Sequence, residues 1–103
     1  MPSKKQPICP PEKKLLAAFG ERLRLARLRR GITAEVLAER SSISRVTLHR
    51  AEKGSATVSM GAYLRILAAL RLQADLNLLA KDDILGRKLQ DLALPKRRIR
   101  SRG

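Results

Sequence analysis

The sequence predicts a small, mainly α-helical domain, and three observations favour this fold class. Hydrophobic residues make up 44% of the chain, yet it has one Phe, one Tyr and no Trp. The core must therefore consist mainly of Leu, Ile and Ala, a composition that favours helices. Apolar residues recur at spacings of three and four, as on one face of a helix. Ser, Thr or Asp precede several of these runs and Gly follows some of them, in the positions of helix caps.

The N-terminal part combines a proline-rich segment with one long helix. Residues 1–12 contain four of the five prolines and no apolar periodicity, which predicts a disordered arm. The first helix is predicted from about Pro11 to Arg30, with Gly31 as its stop. The apolar residues that share its inner face are Leu16, Phe19, Leu23 and Ala26.

Two short helices follow, separated by a few residues. Thr33 is the predicted N-cap of a helix over 34–40, and Ser44 is the predicted N-cap of a helix over 45–53 that ends at Gly54. The proportions of this pair are those of a helix-turn-helix unit.

The C-terminal part is less regular. Ser59 is the predicted N-cap of a fourth helix over 60–71. Residues 72–81 then alternate between apolar and polar, which favours a strand, although the positions of their leucines also fit a helix. Asp83 is expected to cap a last short helix through about Leu92. The predicted organisation is an arm (1–12), a helix-turn-helix domain (13–71), a segment with the alternating residues and the short helix (72–94) and a basic disordered tail (95–103).

Residues 21–72 resemble the Xre/Cro/C1-type helix-turn-helix family. From Gly31 to Gly54 they follow its pattern G-[IL]-[ST]-x-E-x-L-A-x-x-x-x-[IV]-S-x-x-[ST]-[IL]-x-R-x-E-x-G. The resemblance implies a lambda-repressor-like bundle of four to five helices that binds a double-stranded DNA operator. Two positions depart from the family: Ala34 replaces a common Gln, and Arg71 replaces a common Gly. Because a left-handed C-cap at a non-glycine residue costs about 1 kcal/mol, we expect the fourth helix to end differently.

Residues 58–70, the alternating segment and residues 82–97 are similar to HipB-type antitoxins, which are encoded beside HipA-type kinase toxins. This similarity implies a homodimer that represses its own operon and binds a HipA-like toxin kinase. It also implies that the C-terminal strand pairs with the same strand of the other subunit, which would satisfy an otherwise unpaired edge. The residues predicted to form this dimerisation strand are Leu72, Ala74, Leu76 and Leu78.

The third helix carries the predicted DNA contacts. Leu48 and Ala51 are expected to point inward, which leaves the other faces of the helix for the major groove. The predicted base-reading residues are Arg45, Val46, Thr47, His49 and Arg50. Arg45 can donate two hydrogen bonds to guanine, and a solvated helix residue is the alternative interpretation of His49.

Four further residues are predicted to contact phosphates. Thr33 and Ser44 lie at helix N-termini, where backbone N–H groups favour anions, and Lys53 and Ser55 follow the third helix. Simple capping is the alternative interpretation of the first two. Arg27 and Glu52 lie on inward faces in the family pattern, and we expect them to form a structural ion pair.

Charge and composition limit the remaining possibilities. The net charge of +14 favours an acidic partner, with nucleic acid ahead of an anionic membrane. The scarcity of aromatic residues argues against single-strand binding by stacking. A lone cysteine and a lone histidine offer no disulfide framework, metal site or catalytic set. Without a signal peptide or membrane-length apolar run, we expect a cytoplasmic, nucleoid-associated protein that is not an enzyme and needs no cofactor.

Two other functions stay open at this point. A stand-alone phage-type repressor would use the same DNA-contacting residues and have no toxin, and a non-specific basic nucleic-acid-packaging protein would show no sequence preference. The tail from Lys96 to Arg102 could be a solvated end, grip DNA or contact a partner protein.

Overall fold

The structure is a computed structural model of the 103-residue chain, and it describes residues 7–94. Over this range the chain forms five α-helices and one 3₁₀ helix, and no strand. The helices are α1 (Pro10–Arg29), α2 (Ala34–Arg40), α3 (Arg45–Glu52), α4 (Met60–Ala69), a 3₁₀ helix (Gln73–Leu78) and α5 (Ile84–Ala93). The prediction of a mainly helical fold is therefore confirmed.

The chain divides into two compact units, the first ending at Gln73 and the second beginning at Ala74. The predicted basic tail and the first six residues of the predicted arm lie outside the described residues. The last three residues of the predicted arm belong to α1, which starts at Pro10. Proline fits at a helix start because the first N–H groups of a helix need no intrahelical acceptor.

Polar side chains cap four helices as predicted. The acceptor atoms are Thr33 Oγ1, Ser44 Oγ, Ser59 Oγ and Asp83 Oδ1, each 3.0–3.1 Å from the backbone nitrogen three residues later. Each such cap stabilises its helix by about 1 kcal/mol. The caps explain why the helix starts could be located from sequence.

Helices α1 to α4 all end at a residue with left-handed backbone. These residues are Gly31, Ser42, Gly54 and Arg71, with φ values between 57° and 76°. After α4, the Arg71 N–H bonds the Ala68 carbonyl at 3.0 Å and the Leu72 N–H bonds the Leu67 carbonyl at 2.7 Å. This is a Schellman motif. The expectation that Arg71 would make α4 end differently is therefore wrong, because two hydrogen bonds and the packing of Leu72 on the core outweigh the local strain.

The core of the first unit is aliphatic and draws on α1 to α4. Its largest fully buried apolar side chains are Leu23, Leu37, Leu48, Ile66 and Leu70. The connection between α2 and α3 contributes Ile43, which packs against this cluster.

Backbones of α1 and α3 approach closely where two glycines meet. A Cβ at Gly20 would lie 2.6 Å from the Ala51 carbonyl oxygen. A Cβ at Gly54 would lie 2.6 Å from the Ala17 nitrogen and would also overlap the Leu16 carbonyl group. The absence of side chains at both positions lets the two helices touch, which fixes the C-terminal end of α3 against α1.

The predicted strand over 72–81 is wrong, and with it the proposed face formed by the dimerisation residues. Leu72 packs half-buried on the core, whereas Ala74, Leu76 and Leu78 lie in the 3₁₀ helix. With three residues per turn, positions two apart do not share a side. Residues 72–81 contain no β-branched side chain, and they include Ala, Asp and Asn, which disfavour strands. Local turns satisfy the backbone instead, as in the 3.2 Å bond from the Leu79 N–H to the Leu76 carbonyl.

Candidate nucleic-acid interface

Helix α3 is anchored by its inner face and presents its outer face to solvent. Leu48 and Ala51 are fully buried, as predicted, in contact with the shared core. The Ser44 hydroxyl caps the start of the helix. At the other end, the Tyr63 hydroxyl donates to the Ser55 carbonyl at 2.6 Å, which ties the loop after α3 to α4.

Burial of Tyr63 affects the ionisation of its hydroxyl. The residue is 6% exposed, and its ring lies 5.2 Å from that of Phe19. Burial raises the pKa of its hydroxyl above the ordinary value of 10.0, because the phenolate would lose hydration. The hydroxyl itself is satisfied by its bond to the α3–α4 loop.

The predicted base-reading residues differ in their accessibility. Arg45, His49 and Arg50 are exposed, and Val46 is 57% exposed, so its methyl groups are accessible to a ligand. Thr47 is half-buried, and its Oγ1 accepts a hydrogen bond from the Ser44 hydroxyl at 3.0 Å. Thr47 therefore supports the start of α3 and keeps its hydroxyl proton and one acceptor lone pair for a ligand.

A groove of about 640 Å³ runs along one flank of α3, and we call it the α1–α3 groove. Its basic residues are Arg24, Arg27, Arg45, His49 and Lys53, with Val46 beside them. Its two carboxylates are both paired, Glu21 with Arg24 at 3.0 Å and Glu52 with Arg27 at 2.8 Å. Arg45 and Lys53 are left to give the groove its positive charge.

A second groove of about 460 Å³ lies on the opposite flank, between α3, the α2–α3 turn and the start of α4, and we call it the α3–α4 groove. Its polar lining includes Ser44, Thr47, Arg50, Ser59 and Arg65, and within the described part of the chain none of its lining residues is acidic. Arg65 is held by a 3.1 Å hydrogen bond from its Nε to the Ser41 carbonyl. This flank can therefore neutralise anions as well.

Sequence reasoning missed Arg24, Ser59 and Arg65 as members of the interface. One signal was available for Arg65, since it is the one charged residue of α4. Its partner Ser41 is 24 residues away, and the contact depends on how α4 packs against the α2–α3 turn. No local pattern encodes that packing.

Two predicted phosphate contacts lie apart from both grooves. Thr33 is exposed, and its hydroxyl accepts from the Val36 N–H. The Ser55 hydroxyl lies 2.7 Å from that of Thr57 and also accepts the Thr57 N–H at 3.1 Å. The structure therefore gives both side chains a local role in capping or loop formation. The other two, Ser44 and Lys53, line the grooves.

Arg27 and Glu52 form a two-pronged ion pair between α1 and α3. The Arg27 Nε lies 2.8 Å from Glu52 Oε2 and the Nη2 lies 3.1 Å from Oε1. A third bond, from Nη1 to the Ile32 carbonyl, spans 3.3 Å. The side chains are 13% and 9% exposed. The hydrogen bond to Glu52 raises the pKa of Arg27 above its ordinary value, so the guanidinium keeps its charge. The pair fixes α3 relative to α1.

Between residues 7 and 94, no three His, Cys, Asp or Glu side chains converge as a metal site would need. None of the helices in this range has both the length and the hydropathy needed to cross a bilayer.

Comparison with known proteins gives one finding for this region. A family model described as a helix-turn-helix domain matches residues 18–79, which include most of α1, all of α2 to α4 and the 3₁₀ helix. No curated protein matches the chain.

Proposed function

The chain belongs to the helix-turn-helix domain family, and from this premise we propose that it is a sequence-specific DNA-binding transcriptional repressor. The observation that supports this most directly is the setting of α3. Its exposed face carries Arg45, Val46 and His49, and a basic groove runs along each flank.

In this proposal α3 enters the major groove with its N-terminal turn. Arg45 donates two hydrogen bonds to guanine O6 and N7, which provides about 1–3 kcal/mol of discrimination. Val46 covers a thymine methyl group, and His49, one turn later, reaches a further base edge.

The flanking grooves then bind the two sugar-phosphate strands. Lys53 neutralises phosphates on one side of α3, and Arg50 and Arg65 do so on the other. These contacts position the helix without reading sequence. We assign no catalytic step and no cofactor to the protein.

The test is selection of DNA from a randomised library by the full chain, followed by competition at about 150 mM salt. The selected site should exceed random DNA in affinity by at least a thousandfold. Arg45→Ala should relax preference at one base position, whereas Arg65→Gln should weaken all sequences about equally. If no motif is enriched, the protein is a non-specific packaging protein and the repressor proposal fails.

We also propose that the repressor acts as a homodimer. Because residues 73–78 form a 3₁₀ helix and no strand, the proposed dimer interface is α5. Leu85, Leu89 and Leu92 recur at spacings of four and three on this helix and are 57–74% exposed. A ten-residue helix is marginally stable alone, so burial of this stripe against a second copy stabilises both. Dimers of helix-turn-helix domains bind two half-sites about 34 Å apart, one turn of DNA.

Sedimentation of two matched variants tests the dimer. Leu89→Asp places a charge within the leucine stripe and should give monomers. Gln90→Asp places the same charge on the adjacent exposed position and should leave the dimer intact. A dimeric Leu89→Asp protein would refute the α5 interface.

A finer proposal is that the protein is a HipB-like antitoxin whose partner is a HipA-like kinase toxin. It rests on the sequence similarity of residues 58–70 and 82–97. The strand that this similarity implies between them does not support the proposal, because the structure has a 3₁₀ helix there. Purification from native cells should recover a kinase-like protein with the chain. Recovery of the chain with operator DNA and no kinase would favour the stand-alone repressor.

A further inference from the structure

A third basic groove lies at the N-terminal end of α1, mostly outside the residues that the family model matches. It has a volume of about 500 Å³ and runs between the first turns of α1 and residues 53–56, and we call it the N-terminal groove. Its floor is formed by small or apolar residues, including Leu16 and Gly54. Residues 10–17 of α1 precede the match at 18–79, so this groove adds to the common domain.

The lining of the N-terminal groove is cationic. Lys13, Lys14 and Lys53 contribute three ammonium groups, and all three residues are exposed. Within residues 7–94, none of the lining residues is acidic, so no carboxylate of the groove neutralises these charges. Lysine acts as a flexible point charge, which suits phosphates whose position varies along a strand.

Lys53 makes this groove continuous with the DNA-binding surface. It lines both the α1–α3 groove and the N-terminal groove. The positive surface therefore runs from Arg45 past Lys53 to Lys13 and Lys14. Along α1, Lys13 and Arg24 are separated by about 16 Å, at 1.5 Å per residue. That distance extends the basic surface well beyond the recognition helix.

We propose that the N-terminal groove is a second phosphate-binding site, in which Lys13 and Lys14 bind the DNA backbone that flanks the base-read segment. This inference rests on the proposed DNA-binding function and deepens it. It assigns to the start of α1 a role in affinity and footprint length, with no role in sequence preference.

The experiment measures how the affinity of the full chain for its selected site depends on salt. Each phosphate neutralised contributes about 0.9 to the slope of log K against log salt. The double variant Lys13→Gln/Lys14→Gln should therefore reduce the slope by about 1.8. If affinities converge near 1 M salt, this is a loss of about 30-fold at 150 mM. The ratio of specific to random affinity should not change.

A charge-matched control separates local binding from net charge. Arg29→Gln/Lys81→Gln also removes two charges, from exposed positions outside the groove, and should leave the slope within about 0.3 of wild type. Removal of the flanking base pairs from the DNA should lower the affinity of wild type. On this shorter DNA, wild type should bind no more tightly than Lys13→Gln/Lys14→Gln.

The outcomes distinguish this inference from the function on which it rests. If wild type binds no DNA, both fail. If wild type binds its site but Lys13→Gln/Lys14→Gln retains the wild-type slope, only phosphate binding by the N-terminal groove is refuted. That result is expected if the groove binds an acidic protein segment instead of DNA. An equal loss in the control variant refutes it as well.

Discussion

Substitution of Gly54 by alanine tests the close contact between α1 and α3. Gly54 has a φ of +76°, and an added Cβ would overlap the Leu16 carbonyl group and lie 2.6 Å from the Ala17 nitrogen. Gly31 provides a matched control, because its φ is +66° and an added Cβ would have no atom within 4 Å. Both variants impose the same left-handed strain on alanine, but only one forces two backbones apart.

The magnitudes follow from these two environments. Left-handed backbone costs a non-glycine residue about 1–2 kcal/mol, which is the full expected effect of Gly31→Ala. Gly54→Ala adds an overlap with backbone atoms, which no rotamer change can relieve, and overpacking of this kind costs about 1–3 kcal/mol more. The expected total is about 2–5 kcal/mol.

Urea denaturation followed by far-UV circular dichroism measures both losses on the full chain. Gly54→Ala should lower the free energy of unfolding by at least about 1 kcal/mol more than Gly31→Ala. It should also weaken DNA binding, since the position of α3 depends on this contact. Equal losses in the two variants would show that α1 and α3 can separate freely, which would refute the reasoning.

Three further perturbations address the helix end, the ion pair and the buried tyrosine. Arg71→Gly should raise the free energy of unfolding by about 1 kcal/mol, because glycine adopts the left-handed region without strain; a loss would mean that the Arg71 side chain makes a stabilising contact. Glu52→Ala should cost about 3–5 kcal/mol by leaving Arg27 unpaired, and a loss below about 1 kcal/mol would contradict a structural role for the pair. The raised pKa of Tyr63 means that the folded state holds this proton more tightly than the unfolded state. Its stabilising contribution is therefore complete below about pH 10 and is lost as pH rises through the folded-state pKa. Tyr63→Phe should make unfolding less dependent on pH above 10, and an unchanged alkaline transition would contradict this.

The starts and ends of the helices were predictable because local chemistry determines them. Ser44 and Ser59 cap their helices through bonds to residues three positions away, and Gly31 and Gly54 end theirs. Such signals depend on a few neighbouring residues and need no knowledge of the fold. The start of α1 was placed within one residue for the same reason, since Pro10 and Pro11 fit only the first positions of a helix.

Predictions failed where the local pattern was weak or where tertiary packing overrode it. The apolar–polar alternation over 72–81 predicts a strand, but alternating leucines without β-branched residues have only a weak strand preference. At Arg71, local strain favoured a different helix end, yet the packing of Leu72 determined the observed one. The α3–α4 groove was not predicted because Arg65 meets Ser41 only after α4 has packed.

The anchoring of α3 at both ends has a consequence for how the protein recognises a duplex. Ser44 fixes its first turn, and the bond from Tyr63 to Ser55 holds the loop at its exit. Because α3 is held rigidly before it contacts DNA, it cannot change its conformation to improve an imperfect fit. The DNA must then bend or twist to fit the helix. Bases that the side chains never touch would then influence which sites are occupied, through the stiffness of the DNA between the contacted positions.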